Sequence, residues 1–373
     1  MNGQRISLRA NPNSKSATKD LDVPKARSHR IGLQKPRICI LVDRPEWAYH
    51  HSARHIAQQL VNEFDIILRY AVNYPQLSLT DFDLIQICFW EECRYQLIGL
   101  DRQRIIKMVS SHRWQEKSAH GPCSTDEFAR RYLMNCDTVI CTSPRLATLI
   151  EKVFPRVFYT PNGVDVSHFK LGEKRSGPDL IFGWAGNAKD ELKGFKDIVE
   201  PACGGQFTLA TATGGLTHTE MADFYRRTDV FIVASRNEGE PLTLIEAMAS
   251  GCFPVCVDVG IVPDLIKHGQ NGYIVPQRTV EAFQAAFQWC VDHYDKVRAA
   301  GRANADLIAR ERSWSVCAES FARVYRDTLA RAARLPKPPP LNWLALSQIW
   351  WHKVALLCRH HRARVQTKLR GGQ

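Results

Sequence analysis

Twice along its length the chain alternates short β-branched runs with stretches of helical spacing, and few folds accommodate that alternation. The first series predicts strands at Ile38–Asp43, Asp65–Tyr70, Leu84–Phe89, Ile105–Ser110, Thr138–Thr142 and Val157–Thr160, with a helix over Trp47–Asn62. The polar stretch Lys170–Pro178 interrupts the pattern and reads as a linker. A second series then predicts strands at Leu180–Ala185, Phe207–Thr211, Val230–Ser235, Phe253–Val259 and Gly272–Val275, with helices that include Thr219–Arg227 and Val280–Val291. Near-continuous apolar runs separated by helices imply parallel sheets covered on both faces. The expected class is therefore α/β, with two such sheets. At 373 residues the chain is too long for one ordinary core, and its 45% hydrophobic content suffices to bury two.

The ends read differently. Residues 1–36 are polar and basic with little periodicity, so disorder is expected there. Ser313–Leu329 carries Trp314, Phe321 and Tyr325 at helical spacing, a packing pattern. After the proline run 336–340, residues 341–370 place Trp343, Leu346, Trp350, Val354 and Leu357 on one helical face ahead of a basic end. That composition suits an anionic membrane surface; a helix docked on its own protein with a solvated basic tail fits equally. The resulting division is 1–36, 37–170, 171–312, 313–334 and 335–373. Twelve cysteines show no metal-ligand clustering and read as buried thiols of a reducing compartment. With no apolar leader and no apolar run of about 20 residues, the expected location is cytoplasmic, extending to the inner face of a membrane through the tail.

The chemistry concentrates in Glu238–Gly251, E-G-E-P-L-T-L-I-E-A-M-A-S-G. A strand, a turn and a helix opening near Pro241 would aim unpaired backbone N–H groups at one point, which suits a phosphate. Glu238 and Glu246, with seven residues between them, are placed to accept hydrogen bonds from sugar and ribose hydroxyls. The implied ligand is a nucleotide sugar, with no metal and no further cofactor.

This segment resembles the E-x7-E signature of the retaining nucleotide-sugar glycosyltransferases of family 4, over about Arg37–Leu329. The resemblance implies the GT-B fold: two facing Rossmann-like domains with parallel sheets and an interdomain cleft, here followed by a C-terminal helical extension that crosses back to the N-terminal domain. It implies that Glu238 holds hydroxyls of the transferred sugar and Glu246 the ribose, with Leu242 and Thr243 donating to the phosphate and Gly239 allowing close approach. Gly186, Asn187 and Lys193 match the family's phosphate-binding turn, although Asn187 stands where an arginine is frequent. Lys189, Arg236 or a residue of the other domain are the candidate substitutes. Glu240 stands where relatives often carry an aromatic residue facing the sugar. His112, in Ser110-Ser111-His112, matches a histidine that contacts the donor sugar. Asn162 and Gly163 match the turn between the domains, and Arg44 and Trp47 lie where the acceptor is expected, with Trp47 as a staple of the following helix an equal reading.

The expected activity is transfer to a glycan or lipid-linked acceptor with retention of configuration. An epimerase, a phosphorylase or an inactive binding protein would share the fold. The net charge of +12 also admits nucleic-acid binding, but the basic excess lies largely in the tails and no nucleic-acid partner is expected.

Overall fold

The computed structural model describes residues 35–73, 75, 77, 79, 81–90, 101–116, 121–172, 177 and 179–334, together with the backbone of Arg5–Leu8. The amphipathic tail expected at 341–370 and most of 1–36 lie outside these residues. The chain divides into two compact units. Of the described residues, a split unit takes those of 36–160 and 318–334; a contiguous unit takes those of 161–317, joined by Arg5–Leu8.

The split unit holds β2 (Arg37–Val42), α1 (Ala48–Gln59), β3 (Asp65–Tyr70), β4 (Leu84–Ile87), β5 (Ile105–Val109), α2 (Thr125–Phe128), β6 (Thr138–Cys141), α3 (Pro144–Glu151) and β7 (Val157–Tyr159). Its sheet runs β3-β2-β4-β5-β6-β7 with every pairing parallel. The central strands are inaccessible along their length, which is why they read as unbroken apolar runs. One exception is Lys107 on β5, buried but with its Nζ donating to the Tyr132 carbonyl at 2.6 Å.

The contiguous unit follows with β8 (Ile181–Ala185), α4 (Glu200–Cys203), β9 (Thr208–Ala212), α5 (His218–Arg226), β10 (Val230–Val233), α6 (Leu242–Ala249), β11 (Phe253–Val257), α7 (Val262–Leu265), β12 (Tyr273–Val275), α8 (Val280–Asp292) and α9 (Tyr294–Glu311). Its sheet, also wholly parallel, runs β1-β9-β8-β10-β11-β12, where β1 is Arg5–Leu8. Disorder throughout 1–36 was the sequence expectation, and β1 corrects it for those four residues: they pair with Leu209–Ala212 at the sheet edge. Apart from β1, both sheets place the second strand of the series outside the first and the third inside it. That doubly wound order puts a ligand crevice at the carboxyl ends of the first and third strands, where the chain direction of winding reverses.

The contiguous unit also begins earlier than the polar stretch at 170–178 suggests, at Pro161. Phe169 is buried there against His218 and Tyr225, with ring centroids 4.7 and 5.8 Å away. Helix α10 (Trp314–Ala332) buries Trp314, Phe321 and Tyr325. From Ala318 it belongs to the split unit, where Tyr325 Oη donates to Gln86 Oε1 at 2.6 Å and Arg326 forms a bidentate pair with Glu63. None of the ten described cysteines is disulfide-bonded, and nine are buried. Burial pushes thiols such as Cys39 and Cys88 up to about 12, so they pack as neutral groups. Among the described residues no helix is long and apolar enough to cross a membrane.

Candidate functional site

In the contiguous unit the first and third strands of the series are β8 and β10, and the loops that follow them contain most of the residues singled out above. They pair side by side in the sheet, Val230 opposite Phe182 and Phe231 opposite Gly183. The turn after β8 starts at Gly186, whose N–H donates to the Ala212 carbonyl at 3.0 Å. Asn187 is exposed, and its Oδ1 accepts the Lys189 N–H at 3.1 Å, closing a local turn. Asp190 then caps a short 3-10 turn, Glu191–Lys193, which stops at Gly194 in the left-handed region (φ 73°). A side chain at 194 would meet the Ala234 carbonyl at 2.5 Å, so glycine is required by both conformation and space. The Arg236 N–H donates to the Leu192 carbonyl at 2.8 Å, tying the two loops together.

That arrangement delivers Lys193 to Glu238, 45 residues away, with Nζ 2.5 Å from Oε1. Glu238 is largely buried, whereas Lys193 retains about a third of its exposure and faces water (12% and 34%). Such a pair is held in place yet open to a competing anion. Behind Glu238 the loop is anchored by the Ile261 N–H, which donates to the Gly239 carbonyl at 2.8 Å. The loop enters α6 through Pro241, an N-cap that offers no side-chain oxygen. The first peptide N–H groups of α6, at Leu242 and Thr243, therefore have no cap, and the positive end of the helix is available to an anion.

One turn further along α6, the carboxylate of Glu246 accepts the Tyr225 hydroxyl at 3.0 Å on Oε2. Desolvation pushes Glu246 from 4.5 up to about 7, and the Tyr225 hydrogen bond only partly offsets it. Because this acid is raised in the folded state, its contribution to stability is fully present below 4.5 and is lost as the pH rises through about 7. In the ribose-binding role that the resemblance implies for Glu246, binding would have the opposite slope, since the ionised carboxylate is the better hydroxyl acceptor. On that expectation the KM for a nucleotide sugar should fall several-fold between pH 6 and pH 8, roughly tracking ionisation, and Glu246→Gln should flatten that profile. Tyr225 was not foreseen; within α5 it reads as one more packing aromatic.

The remaining residues fall elsewhere. Glu240, expected on the donor side, has a side chain that is fully buried (0% exposed). Its Oε2 accepts the Asn162 N–H at 2.6 Å, and Arg312 lies beside its Oε1, a setting that a loop glutamate does not announce in sequence. Asn162 is accordingly buried, and Gly163 packs so closely on Trp314 that a Cβ would lie 2.5 Å from the indole. His112, Arg44 and Trp47 belong to the split unit. His112 follows β5 and precedes a 3-10 turn at Arg113–Gln115. Arg44 stacks on the exposed Trp47 ring, 4.1 Å from its centroid, in the loop that follows β2. Trp47 is the N-cap of α1 and, being 54% exposed, does not staple that helix. Among the described residues, no three His, Cys, Asp or Glu side chains are grouped to hold a metal ion.

Comparison with known proteins meets this geometry in the same stretch of chain. Residues 179–306 match the model of the Glycosyl transferases group 1 family. Over 115 residues, 31% of this chain, the sequence is 32% identical to D-inositol 3-phosphate glycosyltransferase of Thermobispora bispora, and the match spans 27% of that relative's length. Among solved structures, sucrose-phosphate synthase from Thermosynechococcus elongatus superposes with a TM-score of 0.64 at 17% identity, covering 80% of this chain and all of that one (100%). Anabaena HepE in complex with UDP and glucose gives 0.58 at 13% identity, covering 78% and 100%. Two wholly parallel α/β sheets, a C-terminal helix and these neighbours identify the fold as GT-B, and the stretch that matches the Glycosyl transferases group 1 model lies within its contiguous unit.

Proposed function

We propose that the protein is a glycosyltransferase that moves a sugar from a nucleotide-diphosphate donor to a glycan or lipid-linked acceptor, with retention of anomeric configuration. The observation that carries this reading is the meeting of Lys193 and Glu238 at the winding reversal of the contiguous unit, beside an uncapped helix end. The donor diphosphate takes the Leu242 and Thr243 N–H groups and the Lys193 ammonium. Glu238, released from part of its pairing, accepts hydroxyls of the transferred sugar, and Glu246 accepts those of the ribose. Transfer is a front-face substitution: the bond from the anomeric carbon to the departing phosphate oxygen breaks as the acceptor oxygen bonds to the same face. The acceptor proton passes to that phosphate oxygen, whose charge Lys193 and the helix end stabilise.

Asn187 brings no second cation to the phosphate, and its side chain is engaged in its own turn. The carboxyl ends of the strands of the split unit are assigned to sugar recognition, with Arg44 and Trp47, after β2, toward the acceptor and His112, after β5, toward a sugar hydroxyl. HepE is bound to UDP in its structure, which makes UDP the first probe to try.

Thermal-shift measurements with UDP, GDP and ADP should raise Tm for one of them, since a bound ligand stabilises by mass action. Donor consumption and product anomer are then measured for the wild type, Glu238→Ala and Lys193→Ala. Equal turnover in the three proteins, or an inverted product, would overturn the assignment.

A further inference from the structure

Glu240 lies two residues beyond Glu238 and one before Pro241, yet its carboxylate is withdrawn entirely from solvent. What surrounds it is unusual in origin. The Asn162 N–H donates to its Oε2 at 2.6 Å, and Arg312 Nε lies 3.5 Å from its Oε1. The Arg312 carbonyl in turn accepts the Val164 N–H at 2.7 Å, Val164 pairs with Ser313, and the Cys317 thiol donates to the Asn162 carbonyl at 3.5 Å. Pro161 and Cys317 are the two ends of the contiguous unit. Both segments through which the chain enters and leaves that unit thus converge on one side chain of the loop that presents Glu238.

A carboxylate in this position is costly. Desolvation pushes Glu240 from 4.5 up to about 7 against the lowering effects of Arg312 and of the Asn162 hydrogen bonds; Cys317 is the other titratable group beside it. An apolar residue would fill the same volume without that penalty. What an apolar residue lacks is an acceptor for a specific peptide N–H, and hence a defined height for the loop.

Resting on the proposed function, we infer that Glu240 is a positioning residue of the nucleotide-sugar site. By fixing the loop Glu238–Pro241 to the Asn162 peptide and to Arg312, it sets where the Glu238 carboxylate and the Leu242 and Thr243 N–H groups stand. It touches no ligand itself. Glutamine should substitute well, because its amide oxygen keeps the Asn162 acceptor. Alanine should not.

The test uses the full chain and isothermal titration with UDP, GDP and ADP, well below the Tm of each variant, together with KM and kcat for the donor. Glu240→Ala should weaken nucleoside diphosphate binding about tenfold or more, whereas Glu240→Gln should stay within about threefold of the wild type. A lowered Tm with unchanged Kd, KM and kcat in Glu240→Ala would mean a role in stability alone and overturn the inference, leaving the functional reading intact. A wild type that binds none of the three nucleotides overturns both. If Glu240→Ala does not fold, Arg312→Met takes its place: weaker binding supports the inference and unchanged binding overturns it.

Discussion

Lys193→Ala should lower donor turnover by about 100- to 1,000-fold, the loss typical when one preorganised group facing a developing oxyanion is removed. The expectation follows from place and charge together. Lys193 Nζ is a cation of the loop that follows β8, its partner Glu238 cannot neutralise phosphate, and Asn187 adds no positive charge. The effect should fall mainly on kcat, because charge on the departing phosphate grows toward the transition state while ground-state contacts from the α6 N–H groups persist. Removing the lysine also leaves Glu238 without its 2.5 Å partner. For that reason Lys193→Arg is the informative companion: it keeps the charge and should recover part of the rate. Steady-state kinetics on both variants decide the matter, and an unchanged kcat in Lys193→Ala would remove the lysine from the chemistry.

Gly260→Ala should destabilise the contiguous unit by about 2 to 6 kcal/mol, adding backbone strain to overpacking. Gly260 has φ 51°, and a Cβ there would stand 2.0 Å from the Gly239 carbonyl oxygen. That oxygen cannot simply move aside, since it already accepts the Ile261 N–H. Either the loop Glu238–Pro241 shifts or the turn after β11 does. Urea denaturation followed by far-UV circular dichroism reads the loss as a lower midpoint, and UDP titration reads the loop displacement as weakened binding. A midpoint equal to that of the wild type would show that the backbone yields without cost.

Much of this fold was legible because parallel strands buried on both faces leave an unmistakable trace. β8 and β10 read as apolar runs, and each is followed within a few residues by glycine and polar side chains, so both loops of the site could be marked in advance. The placement of Glu238 before a helix and of Glu246 within it was legible too. The contact of Lys193 with Glu238 was only half legible, since spacing identifies two loops but not that adjacent strands bring them together. The burial of Glu240 was not legible, because its setting is made by residues 78 and 72 positions away, Asn162 and Arg312, and nothing local marks it as buried. β1 escaped notice on similar grounds. Four residues in a polar segment acquire their meaning from Leu209–Ala212, some two hundred positions downstream.

The hydrogen bond from Tyr325 to Gln86 spans 239 positions, and the charged pairs of Arg326 with Glu63 and of Arg156 with Asp327 span 263 and 171. During synthesis, therefore, the half of the molecule that emerges first must wait for its closing helix, while the segment that follows it, Pro161–Cys317, is already complete on the ribosome. The later-made half should reach its native state sooner, and the earlier-made half is the one that stays exposed to chaperones and proteases until α10 has been made.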